Sequence, residues 1–252
     1  MKKQITIATR ALVTLLGMLV IWFLITQFSA IPSYLLPPPK NVAQALINQR
    51  WLLWHATQIT FVETVLGLLL GCLFGSILAL LMMISPLIRR WLMPLVLISQ
   101  SIPVFALAPL LVLWLDFGIK SKIAMAVLMI FFPVTSSFFD GLRNTPQGWL
   151  DLAQTMNATS WRKLFFLRIP AAMSSFASGL RVATAIAPIG AVVGEWVGAS
   201  AGLGFLMQDA NNHFQTDLMF AALFILSIMT MSLWGLVDFS LKKLIPWEKQ
   251  TF

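Results

Sequence analysis

The chain has 252 residues, of which 59% are hydrophobic and only 10% charged, where a soluble domain carries about 25% charged residues. That composition cannot clothe a water-exposed surface, which excludes an ordinary soluble domain and puts lipid or apolar protein around most of the molecule. The net charge of +8 does not point to nucleic acid, because the lysines and arginines fall between long apolar runs rather than along one stripe.

Six segments are apolar over the roughly 20 residues that a helix needs to cross hydrocarbon. They are 9–28, 58–84, 91–115, 121–140, 179–200 and 217–240. Met1-Lys2-Lys3 and the apolar stretch from Ala11 resemble a signal peptide but lack a small-x-small cleavage site, so they read as a retained first span. Pro32, Pro37, Pro38 and Pro39 make a stiff, extended exit from it. Val42, Ala45 and Leu46 then fall at helical spacing in a short interfacial helix over 40–48. On the second span Gly67, Gly71, Gly75 and Ala79 recur every four residues, a face on which helix backbones approach closely. The third span holds Pro94, Pro103 and Pro109 and is expected to bend or break. The fifth carries Pro188 and Glu195 beside Gly190, Gly194, Gly198 and Gly202; packing and a place at a dimer seam or pathway are both open for this set. No linker or internal repeat divides the chain, so 1–252 reads as one transmembrane domain with its core over 58–240.

Orientation follows from the basic residues. With the N-terminus inside, Lys2, Lys3, Arg10, Arg89, Arg90, Arg143, Arg162, Lys163, Arg168, Arg181, Lys242, Lys243 and Lys249 are cytoplasmic, against Lys40, Arg50, Lys120 and Lys122 outside. A bias of 13 to four among 17 cations gives an all-α polytopic membrane protein with six transmembrane helices, N-in and C-in.

The longest inner connection, 141–178, is far longer than two helices need and is expected to have structure of its own. Trp149, Leu152, Ala153 and Met156 share one helical face. Asn157 tolerates the left-handed conformation that ends a helix. Ser160 is placed to cap a second helix with Trp161, Leu164 and Phe165 on its apolar face, and Pro170 to limit its continuation. An apolar protrusion of this kind suits contact with another chain, whereas the bland alternative is a connector lying on the membrane surface. The chain also lacks a Gly-x-x-x-x-Gly-Lys-Ser/Thr phosphate cradle.

From Asp151 to Pro170 the segment resembles the EAA loop of ABC importer permeases. Asp151 stands for the Glu, Leu152 and Ala153 for the two Ala, Asn157 for the Gly, Leu167 for the Ile and Ile169-Pro170 for the closing Leu-Pro. The stretch Leu35 to Val42, Ile102-Pro103, Ala108-Pro109-Leu110, Gly179-Leu180-Arg181, the Glu195 region with Gly202-Leu203-Gly204, and Pro246-Trp247 look like the nitrate/sulfonate/taurine branch. That branch also includes permeases for pyrimidine precursors of thiamine and for riboflavin. The resemblance implies a type I ABC importer permease fold in a bacterial inner membrane, working as a homodimer. It further implies two ATPase subunits that bind ATP and Mg and a periplasmic or lipid-anchored binding protein. Asp151, Leu152, Ala153, Asn157, Ala158, Ile169 and Pro170 would couple to the ATPase, with no cofactor, metal or catalytic residue in this chain.

Among the remaining residues Glu195 stands out, because a carboxylate within an apolar span usually faces a cavity or a partner. At 1.5 Å per residue it lies roughly 20 Å beyond Arg181. With Pro188 and Gly194 it is the candidate for the translocation pathway; the plainer reading is a structural acceptor. Glu63 reads as interfacial. His55 and His213 lie far apart without a further ligand at metal spacing, and Cys72 reads as a packed small hydrophobe. An intramembrane protease built on Ser76 and His213 fits poorly, since Ser76 lies within a charge-free, glycine-rich face and His213 is placed outside, and a passive channel needs no ATPase-docking protrusion. No cation falls in the middle of a span, which tilts the cargo towards a neutral or cationic heterocycle, such as a thiamine-pyrimidine precursor, over nitrate, sulfonate or taurine.

Overall fold

The computed structural model describes residues 2–29 and 31–247. Eleven α-helices follow one another: α1 (Lys2–Phe28), α2 (Pro39–Asn48), α3 (Arg50–Ile84), α4 (Pro86–Ser101), α5 (Val104–Leu115), α6 (Ile119–Arg143), α7 (Gln147–Thr155), α8 (Ser160–Lys163), α9 (Ile169–Gly198), α10 (Leu203–Asn212) and α11 (Thr216–Leu244), with a π-helical turn, Leu164–Arg168, between α8 and α9. The helices α3, α6 and α11 and the run Ser160–Gly198 are long and apolar enough to cross a membrane. The pair α4 and α5 passes the same test as one span, bent by 104°. Within α1 the described apolar stretch is Leu16–Phe28. Lys249, counted above on the inner side, lies outside the described residues.

The third span breaks as its prolines led one to expect, at Ile102 and Pro103, which leave the helical conformation, while Pro94 and Pro109 are accommodated inside α4 and α5. Two expectations are corrected. The second span begins at Arg50 rather than at 58, so α3 reaches about 50 Å in length. Pro170 does not limit its helix. It falls in the first turn of α9, and the π-turn before it lets the Ile169 N–H reach the Leu164 carbonyl. A wider turn relieves the clash that a proline ring makes with the carbonyl four residues back.

Small residues set how the long helices meet. α6 is the central strut, packed most extensively against α9 and α3. Gly67, Gly71 and Gly75 of α3 lie against Ala126, Ile130 and the Phe131 carbonyl of α6. Gly190 and Gly194 of α9 lie against Ala126 and Lys122 from the other side. These two glycines therefore face α6, while Gly198 faces Val112 of α5 and Gly202 lies beyond the helix at φ +119°. Association in lipid rests on such close packing and on interhelical hydrogen bonds; the Thr135 hydroxyl donates to the Gly75 carbonyl at 3.1 Å. α2, α10 and the start of α11 close the end opposite the basic one, around Val42, Ala45, Leu203 and Ala221. The basic end is tied by Arg181, whose Nε lies 2.8 Å from Asp238 Oδ1, and by Lys242, 2.6 Å from Oδ2.

A Cβ on Gly75 would stand 2.7 Å from the Phe131 carbonyl oxygen, an atom that cannot step aside. Gly75→Val is therefore expected to lower stability by about 1–3 kcal/mol, and Gly235→Ala, where nothing lies within 4 Å, to leave it intact. Thermal unfolding of the purified protein in detergent checks both.

Candidate functional site

Two arrangements stand out, one at the basic end and one near the opposite end. At the basic end α7 closes with a paired hydrogen-bond cap. Asn157 takes φ +54°, its N–H reaches the Gln154 carbonyl at 3.0 Å, and the Ala158 N–H reaches the Ala153 carbonyl at 2.9 Å. This is the Schellman pattern, in which a left-handed residue turns the chain back and satisfies the last carbonyls. Thr159, and not Ser160, caps the next helix by accepting from the Arg162 N–H at 3.4 Å. Its extended backbone (φ −66°, ψ 159°) suits the position.

The elbow so formed is anchored on one side and bare on the other. Ala153 and Leu164 are buried, and the Arg168 guanidinium reaches the Leu142 carbonyl at 3.4 Å and Met83 Sδ at 3.3 Å. Asp151 is exposed and accepts from the Gln147 amide at 3.1 Å. Leu152 (62% exposed), Met156 (74%) and Trp161 (59%) present an apolar surface with Trp149 and Phe165. Trp161 and Phe165 stack at 5.9 Å. Asn157 and Pro170 are exposed, Ala158 and Ile169 half-buried. Exposed apolar side chains gathered at an elbow mark a surface that meets another chain or the membrane.

Near the opposite end a polar network is enclosed. Glu195 is fully buried, and Thr60 Oγ1 donates to its Oε1 at 2.6 Å. The same Thr60 oxygen accepts from the Leu203 N–H at 2.8 Å, and the Gly204 N–H donates to Glu195 Oε2. Leu203 and Gly204 open α10, whose first N–H groups have no partner within the helix and whose cap position, Gly202, has no side chain to offer. Thr60 and Glu195 thus cap α10 from α3 and α9, and the carboxylate sits where the helix dipole favours negative charge. Gly202 and Gly204 are needed because a Cβ on either would run into that carboxylate. Beside it Lys122 Nζ lies 2.9 Å from Glu63 Oε1, both buried.

Sequence reasoning placed Glu63 at the interface and counted Lys122 on the outer side at the very start of the fourth span; the structure buries both as an ion pair. Glu195, Pro188 and Gly194 are buried within the bundle. Thr60, Glu63, Lys122 and Arg168 were missed, and the only signal for the acid and the lysine was a lone charge of each sign at the edge of an apolar run. The described residues hold no cluster of three potential metal ligands. His55 is exposed, His213 Nδ1 sits 2.9 Å from the Asp209 carbonyl oxygen, and Ser76 donates to the Cys72 carbonyl within α3.

Residues 67–250 match the family described as binding-protein-dependent transport system inner membrane component. A probable ABC transporter permease protein of Haemophilus influenzae is 54% identical over 228 residues, covering 90% of this chain and 93% of the relative. The formylaminopyrimidine transport permease protein ThiX of Halalkalibacterium halodurans is 38% identical, covering 93% and 94%. The taurine transport system permease protein TauC of Escherichia coli is 28% identical, covering 98% and 92%. Among solved structures, an inward-facing form of the MetNI methionine ABC transporter superposes with a TM-score of 0.69 at 18% identity, covering 78% of this chain and 97% of that one. At that identity the likeness shows the fold, that of a type I ABC importer permease.

Replacing Thr60 by Val strands both Glu195 Oε1 and the Leu203 N–H in a buried site. The loss is expected to be about 1–3 kcal/mol for each orphaned group, with Thr60→Ser close to the parent. Thermal unfolding in detergent separates the two variants.

Proposed function

The chain belongs to the binding-protein-dependent transport system inner membrane component family, the permeases of ABC importers, and from that premise we propose that its cargo is a small neutral aminopyrimidine of the thiamine-precursor kind. As a member it is a multi-pass inner-membrane transport subunit rather than an enzyme, and it works with ATPase and substrate-binding partners. The observation that carries the cargo reading is the 38% identity to a formylaminopyrimidine permease along nearly the full length of both chains. The second reading, a sulfonate such as taurine, draws on a relative at 28%. Radiolabelled uptake into proteoliposomes holding the permease, its ATPase and its binding protein decides between them. Import of formylaminopyrimidine in preference to taurine is expected, and the reverse preference would sink the proposal.

The proposed assembly is a homodimer of this chain over two ATPases, which hold ATP and Mg, with a periplasmic or lipid-anchored binding protein at the outer face. Coupling is assigned to the elbow. Leu152, Met156 and Trp161 offer the bare apolar contact, Asp151 sits beside them, and Ala153, Asn157 and Ala158 hold the turn that presents it. Ile169 and Pro170 join the elbow to α9. Movement gripped at α8 then runs along a single helical rod, Ser160–Gly198, to Glu195 and the cap of α10. Because Leu152 is exposed, Leu152→Glu removes contact with a partner without emptying the fold. It is expected to cut ATPase co-purification and uptake about 30-fold, the scale of an interface hot spot. The amount inserted in the membrane should stay level; undiminished uptake would count against the assignment.

A further inference from the structure

The third crossing breaks at half depth. α4 ends at Ser101 and α5 starts at Val104, and the break lies beside Met129, Phe132 and Pro133 at the midpoint of α6. Within hydrocarbon, irregular backbone persists only where protein buries it or where it lines a water-filled cavity. Here the single chain does not bury it, since Gln100, Ser101, Ile102 and Pro103 are all exposed. Three consecutive polar residues, Ser99-Gln100-Ser101, finish α4 at this point. The Ser99 hydroxyl is turned back to the Val96 carbonyl at 2.7 Å. The Gln100 amide has no hydrogen bond among the described residues and stands on the wall of a cavity of about 290 Å³. Ser99, Met129, Phe132, Pro133 and Ile186 line the same cavity, and no charged residue does.

We propose that this cavity is the resting site of the solute halfway across the membrane, and that Gln100 selects it by reading a donor–acceptor edge. The choice of chemistry follows from the lining. Without a cation or a carboxylate the site cannot compensate an ionic group, which would be costly at this depth. A primary amide presents one acceptor and two donors in a plane. That set pairs with an exocyclic amine next to a ring nitrogen, as an amide does on the edge of adenine. Phe132 offers a ring face and Met129 a polarisable sulfur to a flat heterocycle. A break in a membrane helix is a recurring place for transporter substrate sites, because it frees polar groups without a charge. The recognition half of this proposal rests on the aminopyrimidine cargo; the location does not.

The test uses the assembled transporter in proteoliposomes. Cys72 is the sole cysteine, so Gln100→Cys and Ile98→Cys are made in a Cys72→Ser background and exposed to a water-soluble thiol reagent from both sides. Ile98 lies on the opposite side of α4 at the same depth and serves as the lipid-facing control. The proposal expects Gln100→Cys to react and Ile98→Cys to stay unmodified. Equal reactivity, or none at position 100, overturns the location whatever the cargo proves to be. In parallel, Gln100→Leu is expected to lower formylaminopyrimidine uptake at least about tenfold while co-purifying with its ATPase in normal amount. Parental uptake by that variant overturns the recognition. A parental protein that imports taurine and no pyrimidine defeats the cargo reading and the edge recognition together, and the labelling still judges the cavity by itself.

Discussion

Hydrocarbon offers no partner to a polar group, so a buried carboxylate or helix end inside the spans is costly unless the chain itself answers it, and Glu63 Oε2 and the Thr64 hydroxyl stand as buried exceptions among the described residues. The structure can be followed from that constraint. Glu195, buried in a span, is answered by Thr60 and by the Gly204 N–H. The same contacts supply the open end of α10 with acceptors that its own cap residue lacks. Lys122 answers Glu63. One carboxylate therefore holds three separate pieces of chain together (α3, α9 and the start of α10), and the outer end of the bundle is closed by polar chemistry rather than by apolar packing alone.

The same constraint explains how α9 can be both long and jointed. A proline brings no N–H and its ring crowds the carbonyl four residues back, and the π-turn Leu164–Arg168 accommodates it by widening the helix there. The elbow is thereby continuous with the span that carries Glu195 at its far end. α6 is packed by small residues against α3 on one side and α9 on the other. The break between α4 and α5 is the one place at half depth where the described backbone is left neither helical nor buried, and polar side chains gather there.

Much of this was readable from residues alone. The glycine row of α3 announced a close helix contact, and Asn157 announced the turn, since few other residues enter the left-handed region at low cost. Pro103 announced a break. Other features were silent for physical reasons. Glu63 and Lys122 each sit near the end of a span, where a lone charge ordinarily meets headgroups, and nothing in the spacing of two residues 59 positions apart reveals that they pair. Thr60 is an unremarkable hydroxyl in a helix until α10 folds over it. Ser160 and Thr159 are equally good caps by type, and only the backbone angles decide for Thr159. Gly190 and Gly194 form a small face, but which neighbour that face meets depends on the rotation of α9 about its axis.

An electron-microscopy map of the reconstituted transporter in a lipid nanodisc tests the central claim most directly. The account predicts the elbow around Leu152 and Met156 seated in a groove of the ATPase, the Thr60–Glu195 bridge intact under α10, and the Ser99–Ser101 corner facing the axis between two permease copies. A map in which the ATPase grips another part of the chain, with that corner turned to lipid, would contradict it.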